Sequence, residues 1–159
     1  PPFSGWELSL AMIGASVVRG LIVGGGVRLA SVFWSAPPMQ HVLWILIFAF
    51  MGAMLMGSLG LIAGLWADKF DQIGAFQSFV ILPLTFLSGV FYSIHQLPPI
   101  FQTLSRFNPF FYIIDGFRYG FFSQSDFNPW VSLFIVSFFG ILSAGFATYL
   151  MQIGYKIRK

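Results

Sequence analysis

The sequence predicts an all-α integral membrane protein. The expected architecture is a polytopic helical bundle with four spanning helices and a re-entrant helical pair on the outer face before the last span. Three observations predict it. First, four long stretches, about residues 8–35, 42–67, 73–91 and 130–154, are almost free of charge, and the last three contain no Asp, Glu, Lys or Arg. A helix crosses the hydrocarbon core with about 20 apolar residues, and a soluble helix needs a polar face that these stretches lack. Second, the 159 residues are 57% hydrophobic and only 8% charged, with mean hydropathy +0.83; soluble domains carry about 25% charged residues. Third, all five tryptophans stand at stretch edges: Trp6 and Trp34 flank the first, Trp44 and Trp66 the second, and Trp130 opens the fourth. That is where an interfacial belt places its rings.

The bulk numbers also exclude classes. A net charge of +3 is too small and too scattered to specify nucleic acid. With no cysteine there is neither a disulfide nor a thiolate metal site. The opening Pro1-Pro2-Phe3 shows no basic segment with a cleavage site, so no signal peptide is expected. The chain reads as the C-terminal part of a longer protein, a complete small four-helix protein being the alternative.

The first stretch carries Ser16, Gly20 and Gly24 four apart, and the second carries Ala53 and Gly57, then Gly60 and Gly64. Small residues at that spacing let helix backbones approach in lipid, so bundle packing is their expected use. Gly24-Gly25-Gly26 lies inside an apolar helix, and no GxxxxGK[ST] run occurs, so no phosphate cradle is expected. Arg19 lies near the middle of the first stretch, and a mid-bilayer Arg costs about 2.5–3.5 kcal/mol or more. It is therefore a candidate for a polar pathway or an interface with a partner, a hydrogen bond inside the bundle being the alternative. Arg28, nine residues on, faces half a turn away and is expected to snorkel. Asp68, Lys69 and Asp71 form a short charged turn after the second stretch. The third stretch contains Pro83, which removes a backbone donor and crowds the preceding turn, so a kink is expected there.

Residues about 97–122 are neither a span nor an ordinary loop. Pro98-Pro99 opens a helix at its first positions. Ile100, Phe101, Leu104 and Phe107 then share one face, opposite Gln102 and Arg106. Asn108-Pro109 ends that helix and caps the next, with Asn at the cap and Pro just inside. In the second helix Asp115 and Arg118 stand three apart and can pair; Asp115 is expected to bond Arg118 or a nearby backbone group. Helices of about 99–107 and 109–122 are too short to cross a membrane. They are expected to lie in the interface or re-enter from the outer side, covered by the bundle.

Basic residues set the orientation. The Trp66–Ile73 loop and the tail hold Lys69, Lys156, Arg158 and Lys159, and the opposite side holds Arg106 and Arg118. The tail is therefore expected in the cytoplasm. His41 and His95 stand at the outer edges without partners at ligand spacing, so no metal site is expected.

A resemblance adds to this. The run Pro83–Ile94, then Leu97-Pro98-Pro99, Asn108-Pro109 and Phe117-Arg118-Tyr119-Gly120, with Val18-Arg19-Gly20 in the first stretch and the Asp68–Asp71 loop, resembles the C-terminal half of a type-2 ATP-binding-cassette (ABC) exporter permease, nearest to the bacterial drug- and polysaccharide-export branch. The resemblance covers essentially the whole chain. It implies six spans per permease, the last four of them here, and an outer re-entrant pair before the final span. It implies an inner-membrane location, a second permease copy, and a separate ATPase subunit that binds the ATP, leaving this chain without a cofactor. Asp68, Lys69 and Asp71 then stand where an ATPase could touch. The first two spans and the coupling helix after them are not in these residues. An enzyme is disfavoured on the residues alone, because the stretches hold no Asp, Glu or central His to build a catalytic constellation. A non-catalytic membrane adaptor or assembly protein is the alternative to a permease.

Overall fold

A computed structural model describes residues 4–89 and 94–154. Among the described residues, three helices are long and apolar enough to cross a membrane: α1 (Gly5–Ser31), α2 (Val42–Trp66) and the last helix, α7 (Pro129–Gln152). α1 starts where the Ser4 N–H donates to the Glu7 carboxylate at 2.9 Å. α7 starts where Asn128 Oδ1 accepts from the Trp130 N–H, with Pro129 just inside.

The third apolar stretch takes a different form from one uniform helix over 73–91. Residues 70–86 make one continuous but shorter run: α3 (Phe70–Phe76), a π-helical turn (Gln77–Ile81) and α4 (Leu82–Phe86). The run closes in a turn through Gly89, whose φ of 79° is left-handed, and residues 90 and 91 lie outside the described residues. Pro83 explains the π turn. It cannot donate, and its ring crowds the carbonyl four residues back, so the preceding turn widens and the Leu82 N–H donates to Gln77 O, five residues back. The expected kink is absorbed as a bulge. A 3₁₀ turn (Ile94–Gln96) precedes α5 (Pro99–Arg106) and α6 (Pro109–Phe122).

Glycines fix how the long helices meet. A Cβ on Gly57 would come within 2.7 Å of Ser16 Cβ, and one on Gly20 within 3.1 Å of Ala53 Cβ, so α1 and α2 run antiparallel in close contact. Gly140 sits against Met54 and Met51 while Trp130 stacks edge-on to Trp44 at 5.0 Å, making α7 parallel to α2. Gly5 abuts the Met151–Gln152 backbone, so α1 starts where α7 ends. Trp34, Trp44 and Trp130 thus gather at one end of the bundle, here the His41 end, and Trp6 and Trp66 at the other, the Trp66 end.

α6 runs antiparallel to α2 along the half nearer His41. Ile113 lies against Gly52, Gly116 against the Phe48 ring and Gly120 against Ile45, and the His41 N–H donates to Gly120 O at 2.9 Å. The core forms at this junction, from Phe48, Leu55, Phe110, Phe111, Tyr112, Ile113 and Val136. α5 departs from the expectation of cover by the bundle. Ile100, Phe101, Leu104 and Phe107 are 68%, 43%, 50% and 80% exposed. The helix instead turns its small side inward: Ser105 is buried, and Gln102 Nε2 donates to Leu97 O at 2.9 Å. Packing the narrow side brings α5 close to its neighbours and leaves the aromatic side outermost.

Candidate functional site

Two features stand out, one on each side of α6. The first is an open groove of about 1690 Å³ bordered by α1, α2 and one face of α6. Its walls are apolar apart from Ser16, Arg19, Arg28 and Ser31. Gly24, Gly60 and Gly64 border it, and a Cβ on any of them would meet open space. The small-residue pattern therefore divides. Ser16, Gly20, Ala53 and Gly57 serve the α1–α2 contact, and the glycines beyond it leave the groove wide. Arg19 stands in this groove with no hydrogen-bond or ion-pair partner among the described residues. Arg28 is tied down, donating to Met39 Sδ at 3.1 Å and Ser31 Oγ at 3.3 Å. The two arginines face half a turn apart yet border the same groove, because α1 presents a broad wall.

The second feature is a chain of polar contacts along α6, from Asn108 at its deep, buried start to Asp115 and Arg118 nearer the His41 end. Asn108 caps α6, its Oδ1 accepting from the Phe110 N–H at 3.0 Å while its Nδ2 donates to Leu84 O at 2.6 Å. Pro98 and Pro99 open α5 as cap and first residue, and Pro109 does the same inside α6. Asp115 is 1% exposed. It does not pair with Arg118. It accepts from the backbone N–H groups of Asp126 at 2.7 Å and Phe127 at 3.3 Å and from Ser132 Oγ at 3.2 Å. Arg118 turns away to bond Asp126 Oδ2 at 3.0 Å and Gly89 O at 2.8 Å. Of the two expected partners for Asp115, backbone wins because the 123–128 connection doubles back over α6 and offers two donors. Burial pushes the Asp115 carboxyl above the ordinary carboxylate range, opposed by those same backbone bonds.

Asp68, Lys69 and Asp71 are exposed at the Trp66 end, where the Asp68 N–H donates to Gln72 Oε1 at 2.6 Å. The structure thus joins Asp115 and Arg118 through Asp126, ties Asn108 to Arg118 only through the 84–89 segment that both bond, and leaves Arg19 and the 68–71 turn apart from them. Sequence reading missed Asp126 and Ser132. It also missed the Ser123 hydroxyl, which joins His41 Nε2 at 3.0 Å to Gln40. Only the scarcity of acids in this chain, five in all, pointed to Asp126.

Three spanning-length helices, a glycine-bordered groove and a half-length helix laid against the core define a multi-pass membrane protein. Residues 1–122 match the ABC-2 type transporter family, and the chain belongs to it. The chain is 40% identical over 130 residues to the inner membrane transport permease YadH of Escherichia coli, covering 82% of this chain and 48% of that protein. It is 33% identical over 119 residues to the capsule polysaccharide export inner-membrane protein BexB of Haemophilus influenzae, covering 73% and 42%. It is 27% identical over 112 residues to nodulation protein J of Rhizobium leguminosarum bv. trifolii, covering 70% and 43%. The chain spans about half the length of the curated relatives it matches. No solved structure matches it.

Proposed function

We propose that this chain forms the substrate-pathway portion of a permease that exports its cargo across a bacterial inner membrane, powered by a separate ATPase subunit that binds the ATP and working with a second permease copy. Family membership supports the transport reading. The observation that carries the pathway reading is Arg19: a cation in an apolar groove, without a partner among the described residues, needs one from cargo, water or another chain.

The 70–86 run serves as a fourth crossing in this reading. It begins just past Trp66, and its last turn is bonded by Asn108 and Arg118 beside α6. The α5–α6 pair is re-entrant. α6 is 14 residues, about 21 Å, and reaches from the His41 end to about a turn past the level of Gly52, where Ile113 lies, in the 25-residue α2. The exposed aromatic side of α5 then rests in acyl chains, where it needs no protein cover. The Trp66 end faces the cytoplasm, with Lys69 and the basic tail (residues 155–159, outside the described residues) on that side. Asp68, Lys69 and Asp71 are then available to the ATPase. Drug, polysaccharide, lipid and heme-like molecules are the cargo classes that the resemblance leaves open.

The test uses the full reading frame expressed with the ATPase encoded beside it. The two are expected to co-purify, and replacing the ATPase's phosphate-binding-loop lysine is expected to abolish export. A stably inserted permease that binds no ATP-hydrolysing subunit would overturn the reading.

A further inference from the structure

The third helical run is attached to the bundle differently from the other helices. No residue of α3, the π turn or α4 is buried, and only Ile81 and Leu84 lean on the core. Its C-terminal carbonyls are the weak point. Leu84 O would ordinarily accept from the Ser88 N–H, but that group donates to Thr85 O instead. A terminal carbonyl left without a donor in lipid costs free energy, because no water is there to replace the missing bond. Two side chains from the helical pair supply the donors. Asn108 Nδ2 reaches Leu84 O at 2.6 Å across 24 positions, and Arg118 reaches Gly89 O at 2.8 Å across 29. Arg118 also places a cation at the negative end of the run's dipole.

We infer that Asn108 and Arg118 form a latch that holds the His41-side end of the third run against a core made of α2, α6 and α7. The two parts of the latch differ in kind. α6 is locked to α2 by glycine contacts at Gly116 and Gly120 and to the start of α7 through Asp115 and Ser132. The third run leans on the core through Ile81 and Leu84, and its end at buried Ser88 and Gly89 is tied by directional bonds to its carbonyls. Directional bonds break over a short displacement, whereas interlocked side chains do not, so the run can leave while the core stays whole. The π turn at Gln77–Ile81, with Pro83 just beyond, supplies a point of bending below the latch. Any part played in transport rests on the permease reading; the latch itself rests on these contacts alone.

Asn108→Ser tests it. Serine caps a helix as well as asparagine does, so the bond from the Phe110 N–H to the side chain survives, while the shorter side chain gives up the reach to Leu84 O. Hydrogen–deuterium exchange of the full permease in nanodiscs is the measurement. Amides of residues 82–89 are expected to exchange about fivefold to tenfold faster, the factor that one net hydrogen bond sets. Those of α6 are expected to be unchanged. Arg118→Gln, which removes the second bond, gives the same acceleration in 82–89 together with 123–128, and serves if the first variant does not accumulate. Unchanged exchange in 82–89 in a folded variant would overturn the latch. Equal acceleration throughout α6 would also overturn it, since Asn108 would then be only that helix's own cap.

Discussion

Alanine at Gly116 and at Gly145 should act in opposite directions, although each replaces a glycine inside a helix. A Cβ on Gly116 would overlap the Phe48 ring at Cε1, Cδ1 and Cζ. Phe48 is 0% exposed at the centre of the core, and the neighbouring space toward Gly120 is already taken by Ile45, whose Cγ1 would lie 2.6 Å from a Cβ there. The ring cannot slide away, so either it leaves its rotamer or α6 lifts from α2. Overpacking of this kind costs about 1–3 kcal/mol. A Cβ on Gly145 in α7 meets nothing within 4 Å. Both variants gain the same helix propensity, about 1 kcal/mol, so the difference between them isolates the steric cost. Gly145→Ala is expected to stabilise slightly and Gly116→Ala to fall below it by about 1–3 kcal/mol. Thermal unfolding of the full permease, followed by the fluorescence of its tryptophans, reads both. Equal stability of the two variants would refute the close α2–α6 contact and the depth at which α6 sits.

Other outcomes follow from the site. Arg19→Leu in the full permease is expected to insert and accumulate normally but to lose most export; normal transport would reduce Arg19 to an accident of packing. Single cysteines at Asp68 and Gln124 in this cysteine-free chain are expected to react from opposite sides of the membrane, and labelling of both from outside intact cells would overturn the orientation. Asp115 gives a pH signature. Its carboxyl is raised above 3.8 by burial, so the folded protein holds that proton more tightly than the unfolded chain. Its contribution to stability is full below the unfolded pKa and is lost as pH climbs toward the folded value. Asp115→Asn is expected to remove that decline from melting curves taken across the acidic range; parallel curves would show that Asp115 does not titrate in this window.

What could be read from the sequence was what short segments decide. Pro98-Pro99 and Asn108-Pro109 punctuate the chain so strongly that the observed helices, Pro99–Arg106 and Pro109–Phe122, lie within a residue of the expected bounds. Apolar length likewise gave three of the long helices. Partner choice was not legible, because it depends on where distant segments return. Asp115 had a candidate three residues away, yet its donors come from 11 to 17 residues downstream. The aromatic stripe of α5 marked the helix but not which side packs on protein: Ser105 is buried while Ile100, Phe101, Leu104 and Phe107 stay exposed. The third stretch read as one span, and only the response of its backbone to Pro83 divided it.

The partial length of α6 has a mechanical consequence. α6 braces α2 from His41 to about a turn past Gly52, and beyond that α2 continues to Trp66 without it. A beam stiffened along part of its length bends where the stiffening stops. That point falls beside Ala53 and Gly57, where α1 crosses α2 closely and without bulky side chains. A push applied at the Trp66 end would therefore bend α2 most easily near the middle of the bundle, the His41 half being the one that α6 stiffens.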